Sequence, residues 1–112
     1  MKKGEEFFEM VWQVVELIPK GRATSYGAIA KYLGAAKSAR VVGWAMNASH
    51  TSLKQVPAHR VVNRNGVLSG KNFFSTPFAM QEKLELDGLK IVDDKIIDFK
   101  SIYWDPQLEL TI

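Results

Sequence analysis

The sequence predicts one mainly helical α/β domain spanning residues 1–112. Three observations support this fold class. Apolar residues recur at helical spacing near the start, two short helices with capping signals follow, and an Asn-Gly turn separates two short apolar runs. Hydrophobic residues make up 46% of the chain, which is sufficient for a modest core in a single domain.

The first predicted helix covers residues 5–18. Phe7, Val11, Val14 and Ile18 are spaced four, three and four residues apart, so they lie on one face of a helix. The proline and glycine that follow this segment end the helix, because proline cannot continue it. The pattern therefore predicts a helix with one buried stripe.

The next two predicted helices are short and close together in the sequence. Thr24 or Ser25 can cap the second helix, and Gly34 ends it. Its predicted apolar face consists of Ile29, Tyr32 and Leu33. Ser38 can cap a third helix that runs to about Asn47. Two short helices joined by a tight turn match a helix-turn-helix, whose second helix enters a DNA groove.

A β-hairpin is predicted after the third helix. Residues 60–62 and 67–68 flank the sequence NRNG, and Asn65-Gly66 is a strong signal for a tight turn. A hairpin that follows a helix-turn-helix forms a wing. The predicted fold is therefore a winged helix-turn-helix.

The C-terminal third contains a further helix and a second hairpin. Thr76 is predicted as the N-cap, Pro77 as the first helical residue and Gly88 as the stop. Residues 89–99 alternate around Asp93-Asp94, which predicts a short hairpin. We expect the aromatic tail, residues 101–106, to pack on the body of the domain.

The charge distribution favours a polyanionic partner. All Asp and Glu residues lie in the first 16 positions or from Glu82 onward, whereas residues 17–81 contain nine Lys or Arg and no acidic residue. A segment of one sign between acidic ends is typical of a surface for a polyanion. We favour nucleic acid over a membrane, since the chain has neither a basic amphipathic helix nor an apolar run of 18 residues.

Several classes of chemistry are excluded by composition. The chain has no cysteine, so disulfides, thiolate metal sites and cysteine nucleophiles are absent. His50 and His59 are the only histidines, and no serine motif resembles a nucleophile elbow. We therefore expect no metal and no cofactor. The N-terminus lacks the apolar core of a signal peptide, which favours a cytoplasmic protein.

Local sequence leaves the roles of four residues open. Arg40 is a lone long cation on a close-packed helix, and it is either a surface arginine or a DNA contact. Gly43 inside that helix costs about 1 kcal/mol relative to Ala, which indicates the close approach of another backbone. Tyr26, beside Gly27, is favoured as a packing residue by pattern alone. His59 is favoured as a structural residue.

Three segments together resemble a known family. TSYGAIA, SARVVGWAM and VPAHRVVNRNG resemble the signature of the DNA-binding domain of O6-alkylguanine-DNA alkyltransferases, in order and spacing, across nearly the whole chain. That family carries a Pro-Cys-His-Arg-Val motif, which here reads Pro57-Ala58-His59-Arg60-Val61. The closer resemblance is to the alkyltransferase-like proteins, which share the fold, replace the cysteine and lack the N-terminal domain of many active enzymes.

The resemblance implies binding without alkyl transfer. In the family the cysteine thiolate takes the alkyl group, and a histidine paired with a glutamate helps to deprotonate it. Here Ala58 cannot ionise or accept an alkyl group. Asp87 occupies the place of the glutamate and is one methylene shorter, so Ala58, His59 and Asp87 are vestigial positions. The implied function is recognition of O6-alkylguanine in duplex DNA, base flipping and transfer of the site to nucleotide excision repair.

The resemblance also implies roles for individual residues. Arg40 corresponds to the finger that fills the space left by the flipped base, and Tyr26 to the tyrosine that pushes on the target phosphate. The other DNA-contacting positions are Ser38, Ala39 and Gly43. The implied lesion pocket is lined by Ala58, Val61 and the 68–73 loop, which includes Ser69 and Lys71. Ser49-His50 replaces the Asn-Pro that the family often carries after the recognition helix.

Three alternatives remain open. The chain could be an active alkyltransferase whose cysteine was changed to alanine by engineering, or a winged-helix regulator that reads base sequence. A hydrolase that uses His59 and Asp87 with water is a third alternative, and it lacks an identifiable group to bind the electrophile. For the favoured function we expect a monomer without membrane contact that associates with the nucleoid when bound to DNA.

Overall fold

The computed structural model describes residues 3–52 and 55–110. The helices are α1 (Lys3–Val15), α2 (Tyr26–Tyr32), α3 (Ala39–Ser49), α4 (Ala79–Leu86), α5 (Phe99–Ile102) and α6 (Pro106–Glu109). The strands are β1 (Thr24–Ser25), β2 (Val61–Val62), β3 (Ile91–Val92) and β4 (Lys95–Ile96). Two 3₁₀ turns cover Ala58–Arg60 and Lys71–Phe73. This architecture confirms the mainly helical fold with small sheets.

Helix α1 packs on α3 through the predicted stripe. Val11, Val14 and Ile18 are buried. The indole Nε1 of Trp12 donates a hydrogen bond of 2.8 Å to the carbonyl oxygen of Ala45. The regular helix ends at Val15, three residues before the predicted end, because 3₁₀-type bonds form the next turn. Ile18 remains buried beyond that end, so the predicted face is preserved.

The helix-turn-helix of α2 and α3 is confirmed. Ser25 caps α2 by accepting a 3.2 Å hydrogen bond from the amide of Ala28, and Gly34 adopts a φ of +77° after the helix. Helix α3 begins after Ser38, whose side chain forms no capping bond, and it ends at Ser49 rather than Asn47. The buried residues of α2 are Ile29 and Ala30. The prediction that Tyr32 lies on the buried face was wrong, since 37% of it is exposed.

The predicted hairpin around Asn65-Gly66 requires a correction. The turn is present, since the amide of Gly66 donates to Asn63 O at 2.9 Å. However, β2 pairs in parallel with β1 rather than with residues 67–68, and Val67 instead bridges Lys95. The reason is burial. Both residues of β2 are almost fully buried, which suits a strand inside the domain better than a solvent-exposed hairpin.

The C-terminal elements follow the prediction more closely. Strands β3 and β4 form an antiparallel hairpin, and Asp93 and Asp94 at its turn have φ angles of 51° and 61°. Two central residues with positive φ characterise the type I′ turn that matches strand twist. In the tail, Trp104 is buried, and its amide donates a 2.8 Å hydrogen bond to Ala23 O. The second hairpin and the packing of the tail are confirmed.

Helix α4 begins later than predicted. Its first residue is Ala79, and the N-cap position is Phe78 rather than Thr76. The Thr76 hydroxyl instead accepts a 3.3 Å hydrogen bond from the Phe78 amide, which forms a local turn ahead of the helix. Gly88 follows the helix with a φ of +97°, as predicted for a stop.

The buried side chains form two clusters. The first lies among α1, α2 and α3, and it includes Ala58 and Val61. The second includes Val62, Met80 and Leu84 and lies beneath α4 and the β3–β4 hairpin. Residues 58–62 therefore run between the two clusters, which fixes the segment of the Pro-Ala-His-Arg-Val motif.

None of the helices described has both the length and the apolar character needed to cross a membrane.

Candidate nucleic-acid interface

A cavity of about 430 Å³ lies between α2, α3 and the 69–74 segment. This volume falls within the range of roughly 300–1,000 Å³ that is usual for small-ligand cavities. The sequence-predicted residues that line it are Tyr26, Ala39, Arg40, Gly43, Ala58, Val61 and Ser69. The fold thus brings these predicted residues, which are up to 43 positions apart in the chain, to one opening beside the N-terminal part of α3.

Arg40 lies at the rim of this cavity in the first turn of α3. Its side chain is exposed, and within the described part of the chain its guanidinium forms neither a hydrogen bond nor an ion pair. An arginine with five free donors at the mouth of a cavity can bind an acceptor that arrives from outside. Of the two interpretations left open by the sequence, this position favours the contact residue.

The two glycines beside these residues do not serve packing within the protein. A β-carbon built on Gly43 or on Gly27 would meet nothing within 4 Å. The prediction that another backbone approaches Gly43 closely is therefore not met within the protein. Gly43 lines the cavity, so the missing side chain leaves room on the face that a ligand would approach.

Tyr26 contributes both to the core and to the cavity wall. Its ring packs against the first core cluster, and it is the first residue of α2 after the Ser25 cap. Its hydroxyl lies against the 69–74 segment, since a β-carbon on Gly70 would be 2.9 Å from the Tyr26 Oη. A side chain at position 70 would therefore displace the tyrosine, so the glycine allows the hydroxyl to reach the cavity.

Ala58 begins a 3₁₀ turn at the inner wall of the cavity, and only 9% of it is exposed. The next two side chains turn away from the cavity. His59 Nε2 lies 2.9 Å from Asp87 Oδ2, and the Arg60 Nε and Nη2 groups donate to Oδ2 and Oδ1 of the same carboxylate at 2.8 and 3.2 Å. The Arg60 Nη1 also donates to Ile18 O at 2.9 Å. We call His59, Arg60 and Asp87 the carboxylate cluster.

The carboxylate cluster is ionised at Asp87 and neutral at His59 at pH 7. Burial lowers the pKa of His59 below 6.5, and the hydrogen bond and charge of Asp87 only partly offset this effect. Burial alone would raise the pKa of Asp87. The hydrogen bonds from Arg60 and His59 outweigh burial and hold that pKa below 3.8. The cluster is therefore a stable arrangement of one anion, one cation and one neutral imidazole.

Two predicted site residues lie elsewhere. Lys71 does not line the cavity, and its ammonium pairs with Asp94 in the β3–β4 turn. The second hairpin places a carboxylate beside Lys71, and a contact between Lys71 and the lesion stays a prediction. Ser38 occupies the N-cap position of α3 and is also absent from the cavity wall. A DNA contact by Ser38 stays a prediction.

Several cavity residues were missed by sequence reasoning. Trp44 and Phe73 are 58% and 52% exposed at the cavity, although large aromatic residues are usually buried. The rings of His50 and Phe74 meet edge to face with centroids 4.4 Å apart. Trp44 could have been found, since it lies four residues after Arg40 and thus on the same helix face. Phe73 belongs to the 68–73 loop that the resemblance implied for the pocket, whereas nothing in the local pattern indicated the position of Phe74.

Within residues 3–52 and 55–110, no group of three or more His, Cys, Asp or Glu side chains is arranged to hold a metal ion. The cavity wall itself consists mainly of small, aliphatic and aromatic side chains, with a few polar groups and one arginine. Such a wall can hold a flat aromatic group by shape and stacking, and it can satisfy a few polar atoms. It offers no cysteine thiol, since the chain has no cysteine.

Comparison with known proteins gives consistent relationships. Residues 6–89 match the family model of the 6-O-methylguanine DNA methyltransferase DNA-binding domain. The chain is 34% identical to alkyltransferase-like protein 1 of Schizosaccharomyces pombe, with 86% of this chain and 88% of the relative aligned. It is 33% identical to the DNA base-flipping protein of Escherichia coli, over 94% of this chain and 79% of the relative.

Solved structures give the same relationships. The crystal structure of S. pombe Atl1 in complex with damaged DNA containing O6-carboxymethylguanine superposes with a TM-score of 0.81 at 32% identity, covering 95% of this chain and 100% of the other. Mycobacterium tuberculosis OGT in complex with DNA gives a TM-score of 0.64 at 36% identity, over 73% of this chain and about half of that protein. The chain therefore belongs to the family of the 6-O-methylguanine DNA methyltransferase DNA-binding domain, among its alkyltransferase-like members.

Proposed function

We propose that this protein recognises DNA damage without catalysing a reaction. It binds O6-alkylguanine in duplex DNA, rotates the damaged nucleotide into the cavity between α2, α3 and the 69–74 segment, and marks the site for nucleotide excision repair. The observation that carries the proposal is a cavity of about 430 Å³ with the exposed Arg40 at its rim and Ala58 at its inner wall. Two relatives support it, since one is named for base flipping and the other is solved with damaged DNA.

The energetics of base rotation explain the arrangement of side chains. Removing a base from the stack costs a few kcal/mol, and the cost is lower for a damaged base that pairs poorly. Arg40 offsets part of this cost by filling the gap in the duplex with a planar group that donates hydrogen bonds. Tyr26 pushes on the target phosphate. The exposed rings of Trp44 and Phe73 provide surfaces on which a rotated base can stack.

The absence of a reaction follows from the residue at position 58. The methyl group of Ala58 cannot act as a nucleophile, and the 112 residues contain no cysteine to replace it. His59 retains its contact with Asp87, but it has no thiol to deprotonate. A complex that cannot repair the base can only dissociate or be passed to other proteins. This is why we assign the next step to nucleotide excision repair.

Attraction to the duplex comes from exposed basic side chains of the helix-turn-helix. Lys31, Lys37 and Arg40 are exposed on α2, on the turn and on α3. Each phosphate that such a residue neutralises releases counterions, so the affinity falls steeply with salt whatever the base sequence. The same residues make an intracellular, nucleoid-associated location the natural one for this protein.

The test is a competition among matched duplexes that contain guanine, O6-methylguanine or a bulkier O6 adduct, each at two salt concentrations. We expect the adduct to improve affinity at both concentrations and both affinities to fall with salt. Equal affinity for modified and unmodified duplexes would overturn the proposal. So would a preference for one base sequence whatever the adduct, which a sequence-reading regulator would show.

A radiolabelled methyl group on the O6 atom provides the second measurement. We expect no label on the protein after prolonged incubation, since no side chain can accept the methyl group. Labelling of the protein in proportion to its amount would contradict the assignment as a non-enzymatic protein.

One alternative keeps the same fold. The chain is then an active alkyltransferase in which alanine replaces the cysteine by engineering, and the short His59–Asp87 contact fits the proton relay of such an enzyme. The codon at position 58 of the native gene distinguishes the two. A cysteine codon would support the alternative, and an alanine codon supports the non-enzymatic function.

A further inference from the structure

We infer that a second cavity behind Ala58 receives the far end of a long O6-alkyl group and selects adducts that end in an anion. This inference rests on the proposed function and adds a class of adduct to it. Of the residues predicted for the lesion pocket, this second cavity includes Ala58.

The second cavity has a volume of about 580 Å³ and adjoins the first. The two share four wall residues, which are His50, Ala58, Phe73 and Phe74. The edge-to-face pair of His50 and Phe74 forms one side of the boundary, and the β-carbon of Ala58 forms another. Because Ala58 has no atom beyond its β-carbon, the boundary is low at that point, and a flexible chain attached to a base in the first cavity can pass there.

The chemistry of the second cavity differs from that of the first. Apart from the shared residues, its wall is mainly polar and includes Ser49, Ser52, Gln55, Ser75, His59 and Lys83. No Asp or Glu occurs among the described residues that line it. A methyl adduct ends in the first cavity, whereas a longer polar chain would exchange water for these side chains. A long apolar chain would displace water from Gln55, Ser75 and Lys83 without offering them a hydrogen bond, which is unfavourable.

Lys83 gives the second cavity its charge preference. In the described part of the chain, no carboxylate forms an ion pair with the Lys83 ammonium. Its charge also contributes to the lowered pKa of both His50 and His59, after the larger effect of burial, so its positive potential extends over the cavity. The two histidines stay neutral at pH 7, so among the described residues that line the cavity Lys83 is the cation that an anionic group meets. A carboxylate at the end of the O6 chain is therefore preferred to a neutral group of the same shape.

The experiment uses duplexes with O6-methylguanine and with O6-alkyl chains of increasing length, each ending in either a carboxylate or a carboxamide. The carboxamide is the matched neutral control. For wild type we expect the carboxylate preference to appear only when the chain is long enough to pass Ala58. Lys83→Gln should remove a preference of about two- to five-fold, the size expected for a partly exposed ion pair. Lys83→Glu should reverse it.

The control variant is Lys90→Gln, which removes an exposed lysine that lines neither cavity. We expect it to keep the carboxylate preference. Ala58→Leu, which raises the boundary, should weaken binding of the long chains more than of O6-methylguanine. Because Lys83 is exposed, its variants test the inference even if Ala58→Leu does not fold.

The outcomes distinguish whether Lys83 contacts the carboxylate of the adduct or a phosphate of the DNA. If Lys83→Gln weakens all duplexes equally, including unmodified DNA, Lys83 contacts a phosphate and the inference is overturned. An unchanged carboxylate-to-carboxamide ratio in Lys83→Gln would also overturn it. In both cases wild type still prefers O6-methylguanine to guanine, so the proposed function stands. Failure of wild type to make that distinction would overturn the proposed function, and the inference with it.

Discussion

The rim of the first cavity and the carboxylate cluster behind it use polar side chains in opposite ways. Arg40 is exposed and unpaired among the described residues, whereas Arg60 is bound to two oxygens of Asp87 and to Ile18 O. Two arginines that are 20 positions apart thus have opposite surroundings, one exposed to solvent and one bonded within the protein. A satisfied, buried cation stabilises the fold, and an unsatisfied, exposed one is available to a partner.

The same contrast divides the Pro-Ala-His-Arg-Val segment. Ala58 faces the cavity, while His59 and Arg60 face the carboxylate cluster. The cluster joins the turn after α1, the 3₁₀ turn at Ala58 and the end of α4. This explains why His59 and Asp87 are useful in a chain without a nucleophile. Their contact holds the inner wall of the cavity in place, whether or not a proton moves through it.

The largest expected effect comes from breaking the carboxylate cluster. Asp87→Ala leaves the Arg60 guanidinium, which is 17% exposed, without its carboxylate. We expect the free energy of unfolding to fall by about 3–5 kcal/mol, as for other buried pairs that lose one partner. Urea denaturation measures this change. Glu82→Ala, which removes an exposed carboxylate from the same helix, should change it by no more than about 0.5 kcal/mol. A loss below about 1 kcal/mol for Asp87→Ala would contradict the structural role.

The opposite result is expected at the rim. Arg40→Ala should weaken binding to alkylated duplex by about 1–3 kcal/mol while changing the free energy of unfolding by less than about 0.5 kcal/mol. Fluorescence titration with modified and unmodified duplexes measures the first quantity. Arg64→Ala is the matched control, since Arg64 is exposed but does not line the cavity. It should affect both duplexes equally. Unchanged affinity in Arg40→Ala would exclude Arg40 from the role.

Much of the fold was predictable because the signals are local. The Ser25 cap, the stop at Gly34 and the β3–β4 turn each depend on a few consecutive residues, and all three are confirmed. The contacts that were not predicted depend on partners that are distant in the sequence. Val61 pairs with Thr24, 37 positions away, and Lys71 pairs with Asp94 of a later hairpin. A single sequence contains no information about such partners beyond the burial that its apolar residues require.

The site was predictable in part for the same reason. The resemblance implied Tyr26, Arg40 and Ala58, and all three line one cavity. It could not give the second cavity, since that depends on the packing of α4 and the 73–75 segment against His50 and Ala58. The bonds of Arg60 to Asp87 and Ile18 were also not predicted, because they join three separate elements.

Gly43 offers a smaller effect that sharpens the comparison, because stability and binding should change in opposite directions. In Gly43→Ala the new methyl group meets no protein atom within 4 Å, so the better helix propensity should raise the free energy of unfolding by about 0.5–1 kcal/mol. Binding to alkylated duplex should weaken, since Gly43 lines the cavity. Gly27→Ala is the control, because it is equally free of contacts but lies outside the cavity wall. Tighter DNA binding by Gly43→Ala would show that this helix face is not used.

The smallest expected effect is the pH dependence of stability. Burial lowers the pKa of His59 below its ordinary 6.5, so the unfolded chain takes up a proton at a pH where the folded chain does not. The contribution of His59 to the free energy of unfolding is therefore complete above pH 6.5 and is lost as the pH falls below that value. The lowered pKa of Asp87 acts in the same direction at more acid pH. Its stabilisation is present above 3.8 and is lost as the pH falls through the folded value.

Urea denaturation at pH 7.5, 6 and 5 therefore gives a free energy of unfolding that decreases as the pH falls. In His59→Asn, which cannot titrate, we expect a weaker decrease over the same interval than in wild type. The matched variant His50→Asn should have less influence. The pKa of His50 is also lowered by burial, but its side chain is exposed, so folding changes its surroundings less. Equal slopes for wild type and His59→Asn would mean that folding does not change the proton affinity of His59. The carboxylate cluster would then be as open to solvent as the cavity rim, and the contrast between the two regions would disappear.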